Sequence, residues 1–182
     1  MLTEADFMTA LHGFIQNVTG IDGNRVFRGQ QSRMVLPKSG SYCIYTPILR
    51  HRRGTNVYTF DAAKKPDDKN GVDTLTALIL VDVQVDFYGA DAAQNAQAIE
   101  IASRSYRGTD YFKTAGVDVR VCTAENPRNL TGIDMSDQYE QRWSVTITTE
   151  INSALTQELP WFEDVTYKVF KNVDVYFPPT ED

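Results

Sequence analysis

The sequence has few cysteines and histidines and no long apolar run, which are the features that disulfide-stabilised, metal-binding and membrane-spanning proteins need. Its 182 residues include two cysteines, Cys43 and Cys122, and two histidines. Each cysteine lies within a β-type pattern, so we expect two buried free thiols and no disulfide framework. The distant cysteines and histidines give no zinc-binding spacing. The longest strongly apolar run, Ala77 to Val81, ends at Asp82, whereas a membrane-spanning helix needs about 20 apolar residues.

Positive charge is also scarce. Lys and Arg together number 18 and Asp and Glu number 24, so the formal net charge is 18 − 24 = −6. Affinity for a phosphate backbone depends on the density of cations, so this balance argues against tight non-specific binding to nucleic acid or to an anionic membrane. The first residues are acidic and lack the basic and apolar regions of a signal peptide, so we expect the protein to be intracellular when it is made.

Catalytic motifs are missing as well. The sequence has neither of the common glycine-rich phosphate-binding motifs and no convincing calcium loop. Asp82 and Asp86 would share one face of a strand, but four residues along a strand separate them by about 13 Å, and glycosidase carboxyls lie roughly 5–9.5 Å apart. We therefore predict that the protein is not an enzyme and holds no cofactor or metal.

Hydrophobic periodicity predicts an α+β fold. One amphipathic helix is predicted from about Thr3 to Val18 and a second from about Asp91 to Tyr106. Pro47 makes the second strand an edge or a bulged strand. The fold class is a mostly antiparallel β-sheet with two main helices packed on it, in a single domain over residues 1–182 with a short C-terminal tail at 178–182. Strand patterns cover residues 25–28, 41–53, 57–60, 76–88, 117–123, 139–151 and 165–177.

The clearest predicted strand runs from Thr76 to Tyr88. Its odd positions are all apolar, and polar residues occupy its even positions from Asp82 onward. Such a strand spans about 40 Å, twice the usual length. We therefore expect it to protrude from its own sheet or to bridge two subunits, with these residues on the bridging face: Asp82, Gln84, Asp86 and Tyr88.

Two charged segments are candidates for contacts with partners. Residues 61–73 form a charged stretch with almost nothing to bury, so we predict a mobile loop that orders on assembly. Its candidate assembly residues are Lys64, Lys65, Asp67, Asp68 and Lys69. Arg50, Arg52 and Arg53 form the basic cluster of the chain. This cluster is either a solvated hairpin end or a docking contact for an acidic partner or for DNA passing nearby.

The order of these segments is informative. An amphipathic helix is followed by Gln30-Gln31 and Pro37, then by Tyr42-Cys43-Ile44-Tyr45 and a basic hairpin. The segment Asp82-Val83-Gln84-Val85-Asp86-Phe87-Tyr88-Gly89 then runs directly into an alanine-rich helix, Ala92 to Ala102. This arrangement spans most of the chain and resembles the tail terminator (neck terminator) proteins of tailed bacteriophages.

The resemblance implies a structural virion protein that forms a ring, usually a hexamer, on the finished tail tube. Such a ring ends tail polymerisation and presents a docking surface to the head. The implied partners are further copies of the chain, the tail tube protein, the head connector or completion protein and a sheath protein. DNA passes through the lumen without specific binding, and no membrane is involved. The implied location is the tail or neck of the virion, after assembly in the host cytoplasm.

Two other classes of function stay open. One is a different structural ring of a phage or secretion system, such as a head-completion or tail-tube protein. The other is a small-ligand-binding or enzymatic α+β domain. Tube proteins polymerise alone into stacked tubes, whereas a terminator gives one closed ring or stays monomeric. A ligand-binding domain would be stabilised by one of the metals, nucleotides or sugars in a thermal-shift screen.

Overall fold

The computed structural model describes residues 3–32, 35–61, 70–133 and 139–160. Within these ranges the chain forms three α-helices, a seven-stranded sheet and a separate two-stranded sheet. The helices are α1 (Glu4–Thr19), α2 (Ala92–Ser103) and α3 (Tyr106–Thr114). The strands are β1 (Val26–Arg28), β2 (Tyr42–Arg52), β3 (Val57–Asp61), β4 (Asn70–Tyr88), β5 (Val119–Ala124), β6 (Arg128–Asn129), β7 (Gly132–Ile133), β8 (Tyr139–Glu140) and β9 (Arg142–Pro160).

Helix α1 begins with a capping box. The Thr3 hydroxyl accepts a hydrogen bond from the Asp6 backbone N–H at 3.1 Å, and the Asp6 carboxylate accepts one from the Thr3 N–H at 3.2 Å. The Thr3 hydroxyl also donates a hydrogen bond to the Asp6 carboxylate at 2.6 Å, and this bond, together with the smaller effect of the Thr3 N–H, lowers the pKa of Asp6. The helix ends at Gly20, whose φ of 71° is the left-handed conformation that glycine adopts readily. The predicted start of this amphipathic helix at Thr3 is confirmed, and its apolar side chains Phe7, Leu11, Phe14 and Ile15 are buried.

The second predicted helix corresponds to α2, and a further helix, α3, follows it. Helix α2 ends at Ser103, and Ser105 caps α3 by accepting a hydrogen bond from the Arg107 N–H at 3.3 Å. Gly108 lies inside α3 and does not end a helix, and a Cβ there would lie 3.0 Å from the Ala102 carbonyl oxygen. The two predicted helices are therefore confirmed as α1 and α2, and α3 is a third helix that the sequence did not predict. The third was missed because only Gly108 and Phe112 are buried in α3, which leaves little periodicity to detect.

The α+β fold class is confirmed, and the sheet is mostly antiparallel. The strand order is β1-β2-β4-β9-β5, with β3 paired to β4 and β6 paired to β9. Only the β1–β2 pair is parallel among the described strands. The register of β2 shifts between Pro47 and Leu49, so the predicted bulge is present. The bulge lies past the three residues of β2 that pair with β1. On the side of β2 that faces away from β4, Pro47 has no neighbour among the described strands, so no strand there needs the N–H that proline lacks.

The predicted hairpin at the basic cluster is absent. Arg52 pairs with Ile79, and Val57 pairs with Thr76, so β2 and β3 run in the same direction along one edge of β4. The residues between them interrupt a strand and do not reverse the chain. The basic cluster consequently lies part-way along the sheet edge, and its interpretation as a hairpin end was wrong.

Strands β4 and β9 are longer than predicted. They pair in register over 19 residues, from the Asn70–Pro160 pair to the Tyr88–Arg142 pair. At about 3.3 Å per residue the pair is about 60 Å long. Asp61 lies in β3 and residues 70–73 lie in β4, so the predicted loop at 61–73 was too long at both ends. The predicted strand at 165–177 and the tail at 178–182 lie outside the described residues.

The hydrophobic core covers only part of this strand pair. The helices pack on one face of the sheet, and the cluster of buried residues includes Val81, Val83, Val85 and Phe87 of β4. It extends along β9 as far as Ile151. We call this helix-covered part the body. We call residues 57–61, 70–78 and 152–160 the arm, because three strands continue there past the described core.

Candidate assembly surfaces

The predicted bridging residues lie together on the sheet face opposite the helices. Asp86 is 6% exposed, and its carboxylate accepts a hydrogen bond from Arg142 Nη2 at 2.9 Å. Gln84 Nε2 donates to both carboxylate oxygens, at 3.1 and 2.9 Å. Asp82 accepts a hydrogen bond from the Thr148 hydroxyl at 2.7 Å. These carboxylates therefore join β4 to β9 within one subunit.

An aromatic stack extends this network to β2 and β8. The rings of Tyr42 and Tyr88 are parallel within 3°, with centroids 4.6 Å apart, and the Arg142 guanidinium lies 5.7 Å from the Tyr88 ring centroid. The Tyr42 hydroxyl donates to Glu140 Oε1 at 2.9 Å. Burial raises the pKa values of both tyrosines, and the bond to Glu140 adds to the rise at Tyr42. Burial alone would lower the pKa of Arg142, but the hydrogen bond and charge of Asp86 outweigh it and raise that pKa.

Metal ligands and thiols are the groups of this surface most relevant to chemistry. Among the described residues no group of three or more His, Cys, Asp or Glu side chains could hold a metal ion. Cys43 is fully buried, and burial raises the pKa of its thiol to about 12, so little nucleophilic thiolate forms at neutral pH. The described polar groups of the bridging face are hydrogen-bonded to one another between β4 and β9.

The structure divides the basic cluster between the two faces of the sheet. Arg50 and Arg52 pair with inward-facing positions of β4, and Arg50 forms an ion pair with Glu4 at the start of α1 at 2.5 Å. Arg53 forms an ion pair with Glu150 of β9. The Arg50–Glu4 pair is exposed on both sides, so it contributes only about 0–1 kcal/mol to stability. No described residue forms an ion pair with Arg52, so Arg52 is the cation of the cluster most available to a partner.

The predicted assembly loop cannot be compared with the structure. Its candidate residues lie outside the described residues: Lys64, Lys65, Asp67, Asp68 and Lys69. Its role stays a prediction from sequence.

The arm carries an apolar row that sequence reasoning missed. Tyr58, Leu75 and Leu155 are cross-strand neighbours on the face that carries the helices in the body. Tyr58 is 72% exposed and Leu155 is 62% exposed. Large exposed apolar side chains in contiguous positions are typical of interaction surfaces. The sequence predicted the strand that contains Tyr58, but only the register shows which residues lie beside it.

A second apolar patch lies at the opposite end of the sheet. Strands β7 and β8 pair as a small sheet that leaves Ile133 and Tyr139 exposed. The Leu130 N–H donates to the Arg142 carbonyl at 2.8 Å, which fixes this structure beside the Tyr88–Arg142 end of the strand pair. We call Leu130, β7 and β8 the end hairpin. No strand is predicted from the sequence at residues 130–133, and Tyr139 and Glu140 begin the strand predicted at 139–151.

Comparison with known families assigns the chain to one of them. A family model described as phage neck terminator protein matches residues 5–175. The chain belongs to the phage neck terminator family. The match covers the body and the described arm, and it confirms the resemblance found in the sequence. A search of curated proteins found no significant match.

Membership gives this neck terminator a structural role in the phage virion. The family name places it in the neck, between tail and head, where it contacts other proteins of these two assemblies. None of the helices in the described part is long and apolar enough to cross a membrane. The assembly surfaces described above are therefore the candidates for these contacts.

Proposed function

We propose that the protein forms a ring that caps the phage tail tube, ends tail polymerisation and offers a docking surface to the head connector or completion protein. The observation that carries the proposal is the family match over residues 5–175 together with the projecting arm. A capping ring needs contacts with neighbouring copies and with the tube. The body buries its central apolar residues against the helices, whereas Tyr58 and Leu155 of the arm stay exposed and are available for such contacts.

The negative net charge of the chain supports the proposal that DNA passes through the ring. A net charge of −6 disfavours binding to phosphates, so DNA would move through an acidic lumen without adhering to it. We propose six copies in the closed ring and a single domain over residues 1–182. We also propose that the protein has no enzymatic activity and that it assembles in the host cytoplasm before it enters the virion.

Elongation of tail tubes tests this function. Purified tubes are incubated with fresh tube protein, with and without a prior addition of this protein, and their lengths are measured by electron microscopy. We expect capped tubes to keep their length and to show one added ring at a single end. Bovine serum albumin at the same concentration controls for crowding. Continued growth after saturation with this protein would overturn the proposed function.

The basic cluster provides a test of the head side. We propose that Arg52, supported by Arg50 and Arg53, attracts an acidic surface of the head connector. An Arg52→Glu variant should still cap tubes but join heads more slowly, and the difference should shrink as salt screens the charges. Arg128→Glu is the matched control, because Arg128 is an exposed arginine paired with Glu125. Equal joining rates for both variants and the wild type would exclude this contact.

A further inference from the structure

The outer edge of β9 carries no described strand along the arm. On one side β9 pairs with β4 over its whole length, and on the other side it pairs with β5 and β6 between Trp143 and Ile151. At the next residue, Asn152 Nδ2 donates a hydrogen bond to the Asp118 carboxylate at 2.7 Å, and residues 115–118 lead back from there to α3. Among the described strands none pairs with the outer side of residues 153–157.

The backbone of this edge can bind one more strand. Alternate residues of an antiparallel strand direct their N–H and C=O groups to opposite neighbours, so about half of these groups at 153–157 point away from β4. Strand β3 cannot reach them, because β4 lies between β3 and β9. Residues 152–157 also carry no charged side chain, and charges, lysine above all, protect natural edge strands from pairing with other chains. A strand that covers this edge must come from outside the described residues or from a second chain.

The chain that follows β9 has the composition of a strand. Strand β9 ends at Pro160, and residues 165–172 have the sequence VTYKVFKN. Five of these eight residues are β-branched or aromatic, the types that are enriched in strands. Residues 161–164 separate the two segments, and four residues are a common length for the loop of a hairpin. The family match extends to residue 175 and so includes this segment.

We propose that residues 165–172 form the fourth strand of the arm, antiparallel to the outer edge of β9 in the same subunit. A four-residue loop after Pro160 places Val165 opposite Pro160 and Asn172 opposite Ser153. Strand β5 sets the limit of this pairing, because it occupies the edge at Ile151. The short loop holds the segment beside β9 at an effective concentration of about millimolar, which favours it over the same segment of a second copy. The inference is independent of the proposed function, because it concerns one subunit.

The segment suits the outermost position of the sheet. It carries Lys168 and Lys171 and no acidic residue, and lysines on an edge strand oppose pairing with further chains. The described residues of the arm contain no Lys or Arg, so the two lysines meet no like charge on these strands. The uncharged edge of β9 thereby becomes an interior strand, and a strand with two lysines becomes the edge.

The proposed register also gives compatible neighbours on the apolar side. Phe170 lies opposite Leu155, so the row of Tyr58, Leu75 and Leu155 gains a fourth apolar member. An aromatic and an aliphatic side chain in opposite positions stabilise an antiparallel pair. The added strand widens the sheet and lies beside the apolar face of the arm, not over it.

Hydrogen exchange at single-residue resolution tests the pairing in the full chain. Alternate amides of residues 153–157 face β4, and the others are protected only if a strand covers the outer edge. We expect both sets to be protected in the wild type at a concentration where it is monomeric. Val169→Pro with Phe170→Pro interrupts the proposed strand and should raise exchange of the outward amides by at least about tenfold, while the amides that face β4 stay protected.

Val175→Pro with Tyr176→Pro is the matched control for this experiment. These two residues lie past the proposed pairing, because β5 already occupies the edge of β9 at Ile151. We expect the control to exchange like the wild type. Fast exchange of the outward amides in the wild-type monomer would overturn the inference, and so would equal protection in the two proline variants.

A disulfide tests the register without proline. Ser153→Cys with Asn172→Cys joins two residues that are opposite in the proposed register, in a chain that also carries Cys122→Ser and keeps the buried Cys43. Opposite residues of antiparallel strands have Cα atoms about 4.5–5.5 Å apart, which a disulfide can span. Ser153→Cys with Lys171→Cys is the matched control, because a shift of one residue places the two thiols on opposite faces of the sheet.

Oxidised samples of both variants are compared on non-reducing gels and by peptide mapping. We expect a disulfide within single chains in the first variant and at least about tenfold less of it in the control. A disulfide between two chains would overturn the inference by placing the segment on a neighbouring copy. Absence of the disulfide from the first variant, or equal yields in both variants, would overturn it as well.

Discussion

The body and the arm are built from the same two strands, yet they differ in what covers them. In the body, Val83 lies opposite Ile147 and both side chains are fully buried beneath the helices. In the arm, Leu75 lies opposite Leu155, which is largely exposed. Both regions have apolar residues on the same face of the sheet. The layer of helices, and not the pattern of the strand, therefore decides whether the apolar residues on this face are buried or exposed.

This contrast predicts different energetics for the two regions. Body residues stabilise the folded subunit because folding removes them from water. Arm residues remain in water in the isolated subunit, so their apolar area is available to stabilise an assembly. Substitutions in the body should act mainly on folding, and those in the arm should act mainly on association.

The largest expected effect is the loss of a body aromatic. Phe87→Ala should lower the free energy of unfolding by about 3–5 kcal/mol, because Phe87 is fully buried and its removal leaves a cavity. Tyr58→Ala in the arm should change it by less than about 0.5 kcal/mol. Urea unfolding of both variants measures the difference. A Tyr58→Ala protein that loses as much stability as Phe87→Ala would show that the arm is covered within one subunit.

The next effect concerns the buried carboxylate of the body. Asp86→Ala should cost about 1–3 kcal/mol, because it leaves a half-buried Arg142 without its partner. Glu125→Ala, which removes an exposed partner of Arg128, should cost about 0–1 kcal/mol. A double-mutant cycle with Arg142→Ala should give a coupling energy well above that of the Glu125–Arg128 pair. Equal coupling energies would contradict a stabilising role for the network.

Alkaline pH should weaken the body. Burial raises the pKa of the Cys43 thiol from 9.0 to about 12, so the folded state keeps its proton where the unfolded state loses it. This contribution is complete below about pH 9 and is lost as the pH rises toward 12, with a slope of up to about −1.4 kcal/mol per pH unit. Unfolding in urea from pH 7 to 11 measures the slope, and Cys43→Ala should reduce it. A stability that is constant over this range would contradict the burial of the thiol.

The smallest effect is expected at the basic cluster. Arg50→Ala should change stability by about 0–1 kcal/mol, because both side chains of its ion pair are exposed, and Arg53→Ala should cost about 1 kcal/mol, because it removes a partner from the largely buried Glu150. Arg52→Ala should leave stability unchanged. Thermal unfolding of the three single variants at low and high salt tests this order. A loss above about 2 kcal/mol at any of the three would show that the cluster is structural.

The sequence determined the elements whose residues carry strong local signals. The capping box and the apolar stripe gave α1, Pro47 gave the bulge in β2, and strict alternation gave the body half of β4. The order of these segments along the chain was also sufficient to find the family, because the order can be read from the sequence without the tertiary structure. Local propensity and periodicity act over a few residues and need no distant partner.

The tertiary structure decided which residues are neighbours. It extended β4 to Asn70 and β9 to Pro160, because long pairing satisfies backbone groups where the sequence shows no clear alternation. It joined β2 and β3 into one edge, so Arg50 and Arg53 point to different faces and reach Glu4 and Glu150. It also placed Tyr58 beside Leu75 and Leu155. Register between distant strands is set by the packing of the whole sheet, so the assembly surfaces appear only once the chain is folded.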